Sequence, residues 1–117
     1  MRRFTLLLSL ILGLAAPSMG AVPDPWILWS RDTHFRDHQP ARQWRREQWV
    51  VRAGPFDTRP DCDRQLGANL NSAPQQLGDG YRVTAVLEVA VVARAQDGGG
   101  LRRRFMCLPA SIAPPKP

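Results

Sequence analysis

Residues 81–108 read YRVTAVLEVAVVARAQDGGGLRRRFMCL, and this stretch decides the fold. From Tyr81 to Ala95 the chain is rich in valine, and Val83, Ala85, Leu87, Val89, Val91 and Ala93 recur at every second position, the period of one face of a β-strand. The other face carries Arg82, Thr84, Glu88 and Arg94, with Val86, Ala90 and Val92 among them, so its second half is expected to be partly covered on both sides. Gln96-Asp97-Gly98-Gly99-Gly100 is a flexible turn, and Leu101 to Leu108 is the return strand of a hairpin. Setting Arg94 opposite Arg102 places Val91 against Phe105 and Val89 against Cys107, on the apolar face. A slip of one residue would turn Cys107 to the other face.

Upstream lies a helix that could cover that face. Thr58 as N-cap with Asp61 three residues on forms a capping-box-like pair, and Pro60 is tolerated in a first turn, where its missing N–H is no loss. Asp57 and Asp61 suit the positive end of the helix dipole. Cys62, Leu66 and Leu70 then fall on one stripe at helical spacing. Cys62 on the stripe and Cys107 on the apolar strand face are both placed to join helix to sheet.

Further upstream, Trp26-Ile27-Leu28-Trp29 reads as a first strand and Gln48 to Ala53 as a second, stopped by Gly54-Pro55. Arg31 to Arg46 is polar and broken by Pro40, which predicts a loop or irregular arm. Asn71 to Gly80 reads as a turn-rich connection, and 109–117, with Pro109, Pro114, Pro115 and Pro117, as a Pro-rich extended tail. The expected fold class is α+β: a small antiparallel sheet of three to four strands with one packed helix and one disulfide.

The first residues carry the order of a secretory signal: Arg2 and Arg3, an apolar stretch from Phe4 to Ala16, then Pro17 and the small residues Ser18, Gly20 and Ala21. The apolar stretch is shorter than the about 20 residues a membrane-crossing helix needs, so the expectation is cleavage after Gly20 or Ala21 and no transmembrane anchor. Residues 1–20 are then a signal peptide and 21–108 a single small domain, of periplasmic or secreted localisation. In such a compartment an even cysteine count argues for a Cys62–Cys107 disulfide, and closing a loop of about 46 residues is worth about 4 kcal/mol in the chain-entropy model.

Formal net charge is +6 for the full chain and +4 without Arg2 and Arg3, and Lys116 is the only lysine. Arginine over lysine with 11 prolines fits a compositional bias, while a net positive field also suits an anionic lipid or polymer surface. Arg42, Arg45 and Arg46 interleave with Trp44 and Trp49, and Arg102-Arg103-Arg104 is a second basic run. The export signal argues against nucleic acid as the partner, and the second run reads as edge-strand protection against aggregation. Trp26, Trp29, Trp44 and Trp49 are the residues to inspect first as a contact patch, since aromatics that a small core does not use mark surfaces of recognition.

His34 and His38 would share a face, as weak metal candidates, only if their segment were helical, which Pro40 opposes. Glu47 and Glu88 are the only glutamates, and the chain has neither a Gly-x-Ser-x-Gly elbow nor a phosphate-cradling glycine loop. No catalytic role and no cofactor are expected. The expected function is a non-catalytic binding or accessory module, with another envelope protein or an anionic envelope polymer as partner. The alternatives are a structural component that binds anionic polymer or lipid through arginines, and a small metal-dependent protein using His34 and His38.

The signal segment, the Trp26-Ile27-Leu28-Trp29 opening, Phe56-Asp57-Thr58 leading into a helix with Cys62, and the terminal Phe105-Met106-Cys107-Leu108-Pro109 together resemble a group of small exported bacterial proteins to which no activity is assigned. In that group the Cys-Leu-Pro is often followed by Asp-Thr-x-Asp-Pro, where this chain has Ala110-Ser111-Ile112-Ala113-Pro114. The resemblance implies an extracytoplasmic compartment and a disulfide, and no site.

Overall fold

The computed structural model describes residues 24–116, so the expected signal peptide, 1–20, lies outside the described residues. Six strands form one antiparallel sheet: β1 (Trp26–Arg36), β2 (Arg45–Arg46), β3 (Val50–Phe56), β4 (Tyr81–Val86), β5 (Ala90–Ala95) and β6 (Gly99–Pro109). The order is β2-β1-β6-β5-β4, with β3 also pairing to β1. Strands β2 and β3 are two parts of one return strand: the first meets β1 at Thr33 and His34, the second between Trp26 and Ser30. Two helices follow the return strand, α1 (Arg59–Asn71) and α2 (Ala73–Leu77). The sheet-dominated α+β class holds, with six strands rather than three or four and two helices rather than one.

The segment expected as a loop, Arg31 to Arg46, is largely structured. β1 continues to Arg36 because β6 pairs with it along its whole length, from Trp26 opposite Pro109 to Arg36 opposite Gly99. A long partner ladder outweighs the weak strand propensity of its charged residues. Only the turn at Asp37-His38 and a short 3-10 segment, Ala41–Gln43, interrupt the chain before β2.

The valine-rich run is not one strand. Leu87-Glu88-Val89 reverses the chain, the Leu87 N–H donates to the Ala90 carbonyl, and β4 folds back on β5. Val83 therefore shares a face with Val91 and Ala93 across a hairpin rather than along one strand. The β5–β6 register also differs from the expected one: Arg94 lies opposite Gly100 and Val91 opposite Arg103, a slip of two residues. Because the side-chain period is two, the slip leaves Cys107 on the expected face. Glycine fits opposite Arg94 because the Phe35 ring fills the space a Cβ at position 100 would occupy.

Face and helix meet as the pattern requires. Thr58 is the N-cap, its hydroxyl accepting from the Asp61 N–H at 3.3 Å. Leu28, Cys62 and Phe105 are fully buried, with Trp26, Ala53, Phe56, Leu66 and Leu70 packed around them. The Cys62–Cys107 disulfide joins α1 to β6 with Cα atoms 6.2 Å apart. α2 grows from the segment expected as a turn. Ser72 ends α1 and begins α2, Pro74 sits where its lack of an N–H costs nothing, and Gln76 bridges the Ser72 hydroxyl and the Asn69 side chain. At the other end of the sheet the tail is held by the Ala110 N–H donating to the Pro25 carbonyl at 2.8 Å.

The bridge spans 45 residues. Replacing both cysteines, Cys62→Ala with Cys107→Ala, is expected to lower stability by up to about 4 kcal/mol in urea unfolding relative to the oxidised chain. A loss under about 1 kcal/mol would show that the packed core alone holds α1 in place.

Candidate functional site

The two faces of the sheet differ because three consecutive arginines on β6 alternate between them. Arg103 points to the helix side, where its guanidinium donates two hydrogen bonds to Asp32, Nε at 2.8 Å and Nη2 at 3.0 Å. Both side chains are largely buried, at 12% and 16% exposure, so this is a bidentate pair shielded from water. Beside it the Arg52 Nε donates to the fully buried Ser30 hydroxyl at 2.7 Å. Burial and then the neighbouring Arg103 hold the Arg52 guanidinium below its ordinary pKa, against the opposing pull of Asp32.

Arg102 and Arg104 project from the opposite face, which neither helix covers. β6 lies between β1 and β5, so these arginines are in the interior of the sheet and are not edge protection. Arg104 stands directly opposite Arg31 of β1. Arg46 of β2 and Arg102 flank Thr33 from its two sides, which sets their Cα atoms about 10 Å apart at ordinary strand spacing. Thr33 is only 2% exposed, lying beneath these long side chains on the bare face. Burial, followed by the charges of Arg46, Arg104 and Arg102, lowers the pKa of Arg31. Among the described residues, none of the four guanidiniums makes an ion pair.

Aromatic rings interleave with the arginines. The Arg31 guanidinium lies over Trp49, 4.9 Å from the ring centroid, and Arg102 lies 5.8 Å from the centroid of Trp44. Trp44 packs against Phe35 with centroids 5.3 Å apart, and Arg94 covers the Phe35 ring from 5.4 Å. Trp44 is fixed by its indole N–H donating to the Gln39 carbonyl at 3.0 Å. The indole N–H groups of Trp29 and Trp49 and the Nε of Arg31 are buried without a hydrogen-bond partner.

The structure divides the residues singled out in the sequence. Trp29, Trp44, Trp49 and Arg46 come together on the bare face, whereas Trp26 packs on the core side beneath Arg59. Arg45 alternates to the helix side with His34 and Glu47, and Arg42 is exposed on the 3-10 segment. His34 is on β1, hydrogen-bonded to Glu47, and His38 is in the turn with φ 66°, so no helix brings the two imidazoles together. No group of three or more potential metal ligands is found among the described residues. Arg102 stands out in the sequence as part of a basic run beside the Trp44 and Trp49 segment, whereas Arg31 and Phe35 carry no such signal and are united with them by the β1–β6 pairing.

A cleft of about 330 Å³ opens on the other side, lined by His34, Arg36, Arg45, Tyr81 and Asp97 among others. Its charges are already neutralised, Arg36 by Asp97 and Arg45 by Glu47. The bare face is the one with uncompensated charge. The chain matches no family model, no curated protein and no solved structure, so the site is read from its own residues.

Two substitutions separate the faces. Asp32→Asn is expected to destabilise by about 3 kcal/mol in urea unfolding, because it leaves Arg103 buried beside a neutral amide. Arg104→Gln relieves like charges directly across a ladder and is expected to raise stability by about 0.3 kcal/mol at low salt, with the gain vanishing in 0.5 M salt. A clear loss on Arg104→Gln would mean that the bare face is not electrostatically strained.

Proposed function

We propose that this chain is a non-catalytic binding or accessory module, exported by residues 1–20 to a periplasmic or extracellular space, and that it recognises its partner with the bare face of the sheet. The observation that carries the reading is the asymmetry of that sheet. One face is covered in part by α1, tied down by the disulfide, while the other carries three tryptophans, a phenylalanine and a cluster of four arginines that make no ion pair among the described residues. Aromatic and arginine side chains are the groups most enriched where proteins bind partners, because they offer large contact area and directional donors at low entropic cost. The disulfide fits an oxidising compartment, and no described helix is long and apolar enough to cross a membrane.

The reading is tested by placing a photo-crosslinking residue at Val51, exposed on the bare face opposite Trp29, and in a second variant at Gln65 on the outer side of α1. In cells producing the full-length chain, adducts are expected from position 51 and none from position 65. Adducts from position 65 alone, or from neither position, would contradict the proposal.

A further inference from the structure

The arrangement of the four arginines narrows the partner's chemistry, on the premise that the bare face is the recognition surface. Arg31 and Arg104 face each other directly across the ladder, and Arg46 and Arg102 straddle Thr33 one row away. Rows two residues apart on a strand are separated by about 7 Å, so the four side chains originate from a patch of about 10 by 7 Å. Like charges directly opposite destabilise a sheet, and no carboxylate of the described residues compensates these. Asp32, the carboxylate nearest in sequence to Arg31, is turned to the other face and committed to Arg103. A second copy packed face to face would bring the same positive charge to the patch, and four cations with no acid beside them call for an anionic occupant.

The aromatic component separates one polyanion from another. The indoles of Trp44 and Trp49 are each capped by a guanidinium and only half-buried against the sheet, which leaves little bare apolar surface to enter lipid. Flat indole faces, negative at the centre, suit the weakly positive C–H faces of sugar rings. A sugar ring can take the place of a guanidinium on the indole while that guanidinium turns to an acidic group of the polymer.

We infer that the bare face binds a linear anionic polysaccharide, with Arg31, Arg46, Arg102 and Arg104 engaging its acidic groups and Trp44 and Trp49 stacking on its rings. The test uses the purified chain and intrinsic tryptophan fluorescence, with alginate as the polyuronate probe, neutral dextran as control, phosphatidylglycerol-containing vesicles and an oligothymidine as rival anions. Alginate is expected to bind, dextran not, and affinity should fall at least tenfold between 50 and 200 mM salt, as for a polyanion that releases about three counterions. The pair Arg46→Gln with Arg104→Gln is expected to weaken alginate binding about tenfold. Arg59→Gln with Arg64→Gln, on exposed positions of α1, should change it less than twofold. Trp44→Leu should weaken alginate several-fold.

Absence of alginate binding, or equal weakening by the two arginine pairs, overturns the inference. Tighter binding to vesicles or to oligothymidine than to alginate also overturns it, assigning the face to lipid or to nucleic acid. If alginate fails while position 51 still crosslinks to a protein in cells, the recognition surface stands and only the ligand class falls.

Discussion

The packing of α1 on a single face of the sheet, fixed by the Cys62–Cys107 bridge, is the constraint on which the remaining structure depends. Once Cys107 points to the helix, the period of two along β6 settles every other side chain on that strand. Phe105 goes into the core and Arg103 reaches Asp32, while Arg102, Arg104 and Met106 are turned outward. Three neighbouring arginines of identical chemistry thus acquire different environments. One is paired and dehydrated, and two are left with no acid to meet. The small core makes the crosslink consequential, since Leu28, Cys62 and Phe105 form the buried cluster beneath α1 and a domain of this size buries a modest share of its surface.

The bare face is held together by features unlike those of the core. Trp49, Trp44 and Phe35 supply ring faces on which Arg31, Arg102 and Arg94 rest, and each such contact is worth about 0.5–1 kcal/mol at an exposed site. Against this stand the mutual repulsion of the arginines and the buried indole N–H groups that lack acceptors. An acidic group placed on this face would lower the repulsion, whereas the charges of the cleft on the opposite side are already paired.

The parts of this fold legible in the sequence are those set by short-range rules. The Thr58 cap, the Cys62-Leu66-Leu70 stripe and the face of Cys107 follow from capping chemistry and from the two side-chain periods. The hairpin at Leu87-Glu88-Val89 was hidden because it contains no glycine, proline or asparagine to break the valine alternation. The continuation of β1 through Arg31 to Arg36 was hidden for another reason: charged residues have little strand preference of their own, and it is the distant β6 that holds them extended. The same non-local pairing explains the partial reading of the site. Trp44, Trp49 and Arg46 are close in sequence, and Arg102 and Arg104 stand out beside them as a second basic run, whereas Arg31 joins them only through the ladder and Arg45 leaves the group by strand alternation.

The central claim is that the sheet face opposite α1 is occupied where the protein works. Arginine-directed covalent labelling, read by mass spectrometry on protein in its native compartment and again after purification, measures this directly. The account predicts that Arg46 and Arg104 are protected in the native compartment and become reactive on purification, while Arg59 and Arg64 on α1 react equally in both. Equal reactivity of Arg46 and Arg104 in the two samples, or protection confined to α1, would contradict it.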